Sequence, residues 1–223
     1  MRFAEGAAHG LLLVRSVSGE TVGHGDLFQT VQGDRVESWL ILRFKDRLVH
    51  DGHVVFSQQR GFTLLSYRVM QRGPSFPETM EVSLDRKTGT YKAWSTGDGQ
   101  EQEASGSIEQ PPGVYNGMVA MLLKNLDPGA GETVQVVVFA PKPRLIGLEM
   151  TPVGTQRMVA GDLARQAIRY ALKPKVGVAH RFFATVMGMA PAILTEDVPA
   201  FVRCDGPLYV KGPVWRFEQT AAH

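Results

Sequence analysis

Apolar and polar residues alternate along most of the chain. Val36, Ser38, Leu40, Leu42 and Phe44 fall on one side of an extended segment, with Glu37, Arg43 and Lys45 on the other. Met80, Val82 and Leu84 alternate with Thr79, Glu81, Ser83 and Asp85, and near the end Trp215 and Phe217 alternate with Arg216 and Glu218. A period of two predicts half-buried antiparallel strands, one face to a core and one to water. Turn signals punctuate these runs at Ser18-Gly19, Gly33-Asp34, Lys45-Asp46, Arg72-Gly73-Pro74, Thr88-Gly89 and Asp98-Gly99. Strands and turns at that spacing predict a meander that closes into a barrel or sandwich.

Two segments depart from the pattern. Pro111-Pro112 precedes Val114, Met118, Met121 and Leu122 at helical spacing, and Asp127-Pro128 ends the run, which predicts a helix at about 113–126. Val178, Phe182 and Val186 lie four apart before Gly188 and Pro191, and predict a second short helix. Residues 132–140 and 144–152 read as strands. Over 162–172, Ala164, Ile168 and Leu172 fit a helix face, while Ile168, Tyr170 and Leu172 fit a strand face. The surrounding meander favours the strand, and Arg165, Arg169 and Lys173 then share its outer side. The polar stretch 97–106 reads as an exposed hairpin. The expected fold is all-β and mainly antiparallel: one barrel or strongly curved sheet of about 10–12 strands with two short helices, one plugging or capping an end. No linker rich in Pro, Gly or Ser divides the chain, so residues 1–223 read as one domain.

Composition narrows the function classes. The chain has 223 residues, 43% apolar and 21% charged, an ordinary globular composition. A chain of this length buries roughly 70% of its unfolded surface and needs neither disulfide nor metal to fold. With 24 basic and 22 acidic residues the net charge is +2, without the strong basic excess of a nucleic-acid binder, so no nucleic acid is expected as partner. Cys204 is the only cysteine, so no intrachain disulfide forms. Beside Pro199-Ala200-Phe201-Val202 it reads as a buried, inert thiol. The early run Leu11-Leu12-Leu13-Val14 is shorter than the roughly 7–15 apolar residues of a signal-peptide core. No stretch approaches the ~20 apolar residues of a membrane span. These features fit the cytoplasm, and equally a periplasmic or exported protein whose leader has been removed.

Familiar catalytic signatures are missing: no phosphate loop, no dinucleotide-binding glycine pattern, no His-Glu-x-x-His and no paired Cys-x-x-Cys. Gly73-Pro74-Ser75-Phe76-Pro77 starts like a nucleophile elbow, but Pro77 stands where the second glycine belongs, and two prolines make a rigid loop the simpler reading. His50-Asp51-Gly52-His53 is the most suggestive cluster. With a hairpin turn at Asp51-Gly52, His50 and His53 face each other with Cβ atoms roughly 5 Å apart, and a third ligand would complete a metal site. With the turn at Lys45-Asp46-Arg47 instead, 49–57 is one strand and the two histidines point to opposite faces. No third ligand is visible nearby, so no metal or other cofactor is expected.

The apolar inventory points elsewhere. Segment 132–150 is apolar on both strand faces, through Val134, Val136, Val137, Val138 and Phe139 and through Leu145, Ile146 and Leu148. One face would pack on the helix; the other would line a cavity, with Val138 and Leu148 as lining and Lys142 and Arg144 holding an acidic head group. The first function expected is therefore binding of an apolar or amphipathic small molecule in a barrel. The second is an enzyme of hydrolase or isomerase/cyclase type in the same cavity, using His50, Asp51 and His53. The third is a structural envelope protein with a filled core.

Several phrases carry a resemblance over nearly the whole chain: Gly25-Asp26-Leu27, Val55-Phe56-Ser57-Gln58, Gly73-Pro74-Ser75-Phe76-Pro77, Pro141-Lys142-Pro143-Arg144-Leu145 and Gly206-Pro207-Leu208-Tyr209. With these the chain resembles an uncharacterised family of bacterial proteins and, more loosely, exported bacterial β-barrel domains of unknown function. The resemblance implies a single β-barrel domain and often a cleaved leader; it implies no activity. The family favours glycine in the turn where this chain has Arg47, which bears on the register around His50.

Overall fold

The alternation is realised as one continuous ladder of strands. A computed structural model describes residues 1–74, 76–97, 99–127, 129–139, 142–160, 163–175, 192–194, 199–209 and 212–222. The first half forms β1 (Ala8–Arg15), β2 (Thr21–Gln32), β3 (Arg35–Phe44), β4 (Val49–Ser57), β5 (Thr63–Arg72), β6 (Thr79–Asp85), β7 (Thr90–Gly97) and β8 (Gln100–Ser107). Then come β9 (Val114–Tyr115), the helix α1 (Val119–Asn125), β10 (Glu132–Phe139), β11 (Pro143–Ala160) and β12 (Leu163–Lys175). The chain closes with β13 (Ala192–Leu194), β14 (Phe201–Gly206) and β15 (Trp215–Ala222).

All fifteen strands among the described residues belong to one sheet, ordered from β8 back to β1, across to β15, then back through β14 to β10 and β9. Every pairing is antiparallel except the short parallel contact of β9 with β10. The fold class is thus the expected one, with more strands than the 10–12 of the sequence reading. The excess has a simple origin: β9 and β13 have two and three residues, and β8 is exposed along almost all its length, so none shows an alternation to read.

The sheet curls without pairing its two ends and forms an open spiral. Inner positions Val69, Val82 and Ala93 of β5, β6 and β7 pack on Phe139 of β10. Phe139 and Val137 lie on the side of β10 opposite Val134, Val136 and Val138, and Val137 is only 1% exposed. The β9–β10 end therefore tucks inside the β5–β7 wall, and both faces of β10 are covered. That explains why 132–139 is apolar on both sides.

The predicted first helix is realised only as 119–125. Gly113 and Gly117 have φ of +83° and +67°, left-handed values that interrupt a helix. Val114 and Tyr115 between them join the sheet instead. The second predicted helix, around 178–186, and Ser75 lie outside the described residues. Residues 163–175 form a strand, as the meander suggests, with Arg169 and Lys173 exposed on its outer side.

Two hydrophobic cores fill the two ends of the spiral. Around α1, Met118, Met121, Leu122, Leu123 and Leu126 pack against Val36, Phe56, Leu64, Val134, Leu148, Met150 and Leu172. Met121, Leu122 and Leu123 of the helix are buried and its other residues half-buried, and it plugs that end. At the other end Leu12, Val14, Leu42, Phe44, Leu48, Phe76, Trp215 and Phe217 form the second cluster.

Candidate functional site

The register around His50 follows from the turn that precedes it. The chain reverses at Lys45-Asp46-Arg47, where Arg47 takes a left-handed φ of 69°. Asp46 Oδ1 accepts the Leu48 N–H at 3.0 Å, and Arg47 N–H donates to the Phe44 carbonyl at 3.1 Å. Asp51 and Gly52 consequently lie inside β4, paired with Ile41 and Leu40. The rows Val36–Phe56, Ser38–Val54, Leu40–Gly52 and Leu42–His50 face inward. His50 points into the barrel while Asp51 and His53 point out.

The three residues of the proposed acid–base set are thus separated by the wall of the sheet. On the outside, the His53 ring stacks on Trp39 at 4.6 Å and 5°, with Nε2 3.7 Å from a Glu37 carboxylate oxygen. Burial lowers the His53 pKa, against the opposing pull of Glu37 and Asp51. Among the described residues no three His, Cys, Asp or Glu side chains gather to hold a metal ion.

Between the two cores, the inward surface changes character. Gly10, Leu27, Leu40, Gly52 and Val69 form one row across β1 to β5. Leu27 and Leu40 face inward yet are only half-buried, as are His50, Tyr67 and Cys204 nearby. An inward side chain that keeps part of its surface open borders a space the packing has not filled. Ser38, Gln29 and Gln71 add buried polar groups to this middle layer.

His50 is the best-defined member. Gln71, 4% exposed, donates from its amide nitrogen to the Leu208 carbonyl at 2.9 Å and to His50 Nδ1 at 2.9 Å. A carbonyl only accepts, so the Leu208 bond fixes which end of the Gln71 amide is nitrogen. His50 Nδ1 must then be the acceptor, and the ring proton resides on Nε2. Burial alone pushes the imidazole pKa down to about 4, so the ring is neutral at pH 7. The same cause raises the Tyr67 phenol, and burial together with Asp205 pushes the Cys204 thiol up to about 12. His50, Tyr67 and Cys204 are therefore polar and uncharged at pH 7. Their chemistry is hydrogen bonding; no described carboxylate bonds to His50, and Cys204 is not a thiolate.

The other predicted residues lie nearer the helix end. Leu148 is 1% exposed within the core around α1, and Val138 packs half-buried at the margin of that core. Arg144 pairs with Val138 and is exposed, as is Lys142, where β10 passes into β11.

A second polar cluster tethers the plug. Arg2 and Phe3 N–H groups both donate to Asn125 Oδ1 at 2.8 Å, and the Arg2 guanidinium donates to the Leu126 carbonyl at 2.6 Å. Lys124 Nζ donates to the buried Glu5 carboxylate at 2.7 Å, which also accepts from Gln29 at 3.1 Å. Gln58 bonds the Glu5 backbone through both ends of its amide, at 2.7 and 3.1 Å.

Sequence reasoning singled out His50, considered Gly52 only as a turn residue, and missed Gln71 and Tyr67. A signal was present: Ser38, His50 and Gln71 are polar residues at the inward phase of otherwise apolar alternations.

Among the described residues the fold and its interior define a class, an open spiral β-barrel plugged by a short helix and lined in its middle by polar groups such as His50, Gln71 and Ser38. No family model matches the chain, and no curated protein does. Among solved structures it is similar to a beta-barrel-like protein of Domain of Unknown Function DUF1849 from Brucella abortus, with a TM-score of 0.47 and 9% identity over 97% of this chain and 95% of that one. That protein, like the family the sequence resembles, is β-barrel-like and carries no stated function. No helix among the described residues is long and apolar enough to cross a membrane.

Proposed function

We propose that the chain binds an apolar or amphipathic small molecule between the two cores of its barrel. The observation that carries this reading is the set of inward but half-buried side chains, Leu27, Leu40, His50 and Tyr67, bounded at both ends by packed residues. A ligand chain that removes on the order of 400 Å² of apolar surface from water gains about 10 kcal/mol before the costs of association. That suffices for binding between micromolar and millimolar without a specific polar contact. Val138 lies at the margin, and Arg144 and Lys142 beside it suit an acidic head group.

The test is titration with the neutral dye N-phenylnaphthylamine and a panel of medium-chain fatty acids. Saturable binding near one per chain is expected, weakened at least tenfold in Leu40→Glu and in Val138→Glu variants that retain the strand circular dichroism. If no probe binds the folded wild-type protein, the binding reading is overturned and a structural role takes its place.

A further inference from the structure

Gly52 sits in the middle of β4, where glycine is unfavourable because it adds backbone entropy and packs nothing. Its backbone gives no reason for glycine, since it is not among the positions with left-handed φ. A Cβ placed there would approach His50 Nε2 at 3.3 Å and the Leu40 carbonyl at 3.8 Å, and no third neighbour lies within 4 Å. The missing side chain therefore leaves a gap directly beside the imidazole N–H.

That N–H is itself unspent. His50 Nδ1 is taken by Gln71, which Leu208 holds in place, and Nε2 has no hydrogen-bond partner among the described residues. His50 is half-buried and its Nε2 is not sealed in the packing, so this donor opens on the interior space, where water or a ligand can meet it. We infer that the gap over Gly52 receives an uncharged hydrogen-bond acceptor of the ligand, a ketone, ester or amide oxygen, which accepts from His50 Nε2–H while the apolar parts lie along Leu27 and Leu40.

This inference rests on the binding reading above and specifies its chemistry. The low pKa of His50 supports it, because the ring offers a neutral donor at pH 7. A carboxylate placed there would have to shed its water without meeting a charge. The Gln71–Leu208 arrangement fixes both tautomer and ring orientation before any ligand arrives, so the donor is preorganised.

The experiment compares a medium-chain methyl ketone with the alkane of the same length, each displacing N-phenylnaphthylamine from the full chain. The ketone should bind about fivefold tighter, the worth of one net hydrogen bond. His50→Leu should reduce that preference to below about twofold, read as the ratio of ketone to alkane binding in the same variant. Gly52→Ala keeps the donor but fills the gap, and should remove the preference in the same way. Ring ¹⁵N shifts give a readout independent of folding variants: the protonated nitrogen should be Nε2, and its shift should move with ketone and not with alkane. Equal binding of ketone and alkane to wild type, or a proton on Nδ1, overturns the inference and leaves interior binding standing. Failure of the dye to bind at all overturns both.

Discussion

The two ends of the barrel are closed by different means. At one end a seven-residue helix supplies Met121, Leu122 and Leu123 and its two flanking residues supply Met118 and Leu126, and polar bonds from Arg2, Phe3 and Glu5 tie it down. At the other end rings interlock: Phe44 on Trp215 at 5.0 Å, Phe76 on Tyr209 at 5.3 Å and Tyr209 on Trp215 at 6.2 Å, all tilted or edge-on. A helix that short is unstable alone, so a plug inserted between strands needs tethers as well as apolar contact. Phe44 and Trp215 project from strands the sheet already holds, and tilted rings suit the charge distribution of aromatic faces and edges. The difference teaches where polar interactions are needed for stability. They serve the element that the ladder does not hold.

Substitutions at the two ends sharpen this contrast. The largest loss is expected at the ring end: Trp215→Ala removes the residue that joins Phe44 to Tyr209 and should cost about 4 kcal/mol in urea unfolding. A loss below about 1 kcal/mol would mean that the rings cover the end without holding it. Next comes the tether. Lys124→Ala leaves the Glu5 carboxylate buried without its cation and should cost about 3 kcal/mol, while Glu5→Leu combined with Lys124→Met should recover most of that loss. If the single and double variants are equally stable as wild type, α1 is held by packing alone.

The smallest effect belongs to the layer between the ends, and it depends on pH. His50 titrates near 6.5 when unfolded and at about 4 when folded, so between these values the unfolded chain binds more protons. Stability is then complete above pH 6.5 and falls as the pH drops towards 4, by about 2 kcal/mol once the ring's partial exposure is allowed for. His50→Leu should flatten that arm of the pH profile. An unchanged slope would show that His50 does not stay neutral in the folded barrel.

Much of this architecture is legible in the residues. The alternations over 35–44, 79–85 and 215–218 became strands, and the apolar run before Asp127 became the plug, shortened because Gly113 and Gly117 are left-handed. The candidate site was legible only in part. Asp51-Gly52 is the strongest local hairpin signal in its neighbourhood, yet the chain turns at Asp46-Arg47 and accepts a left-handed arginine there. That choice keeps Val36, Leu42, Val54 and Phe56 on one buried face. A one-residue slip would expose them all, so global burial outweighs local turn chemistry.

From the sequence alone came the strand class, the small net charge of +2 and the opposite faces of His50 and His53 under one of two registers. These are properties of neighbouring residues, set by the two-residue period of extended backbone and by the preferences of turn residues. The tertiary structure decided which register holds, that β10 is covered on both faces because the sheet overlaps itself, and that Gln71 meets His50 across 21 residues of chain and Leu208 meets Gln71 across 137. Such contacts between distant segments leave no local periodicity, because they depend on how a fifteen-stranded sheet curls and not on any one of its strands.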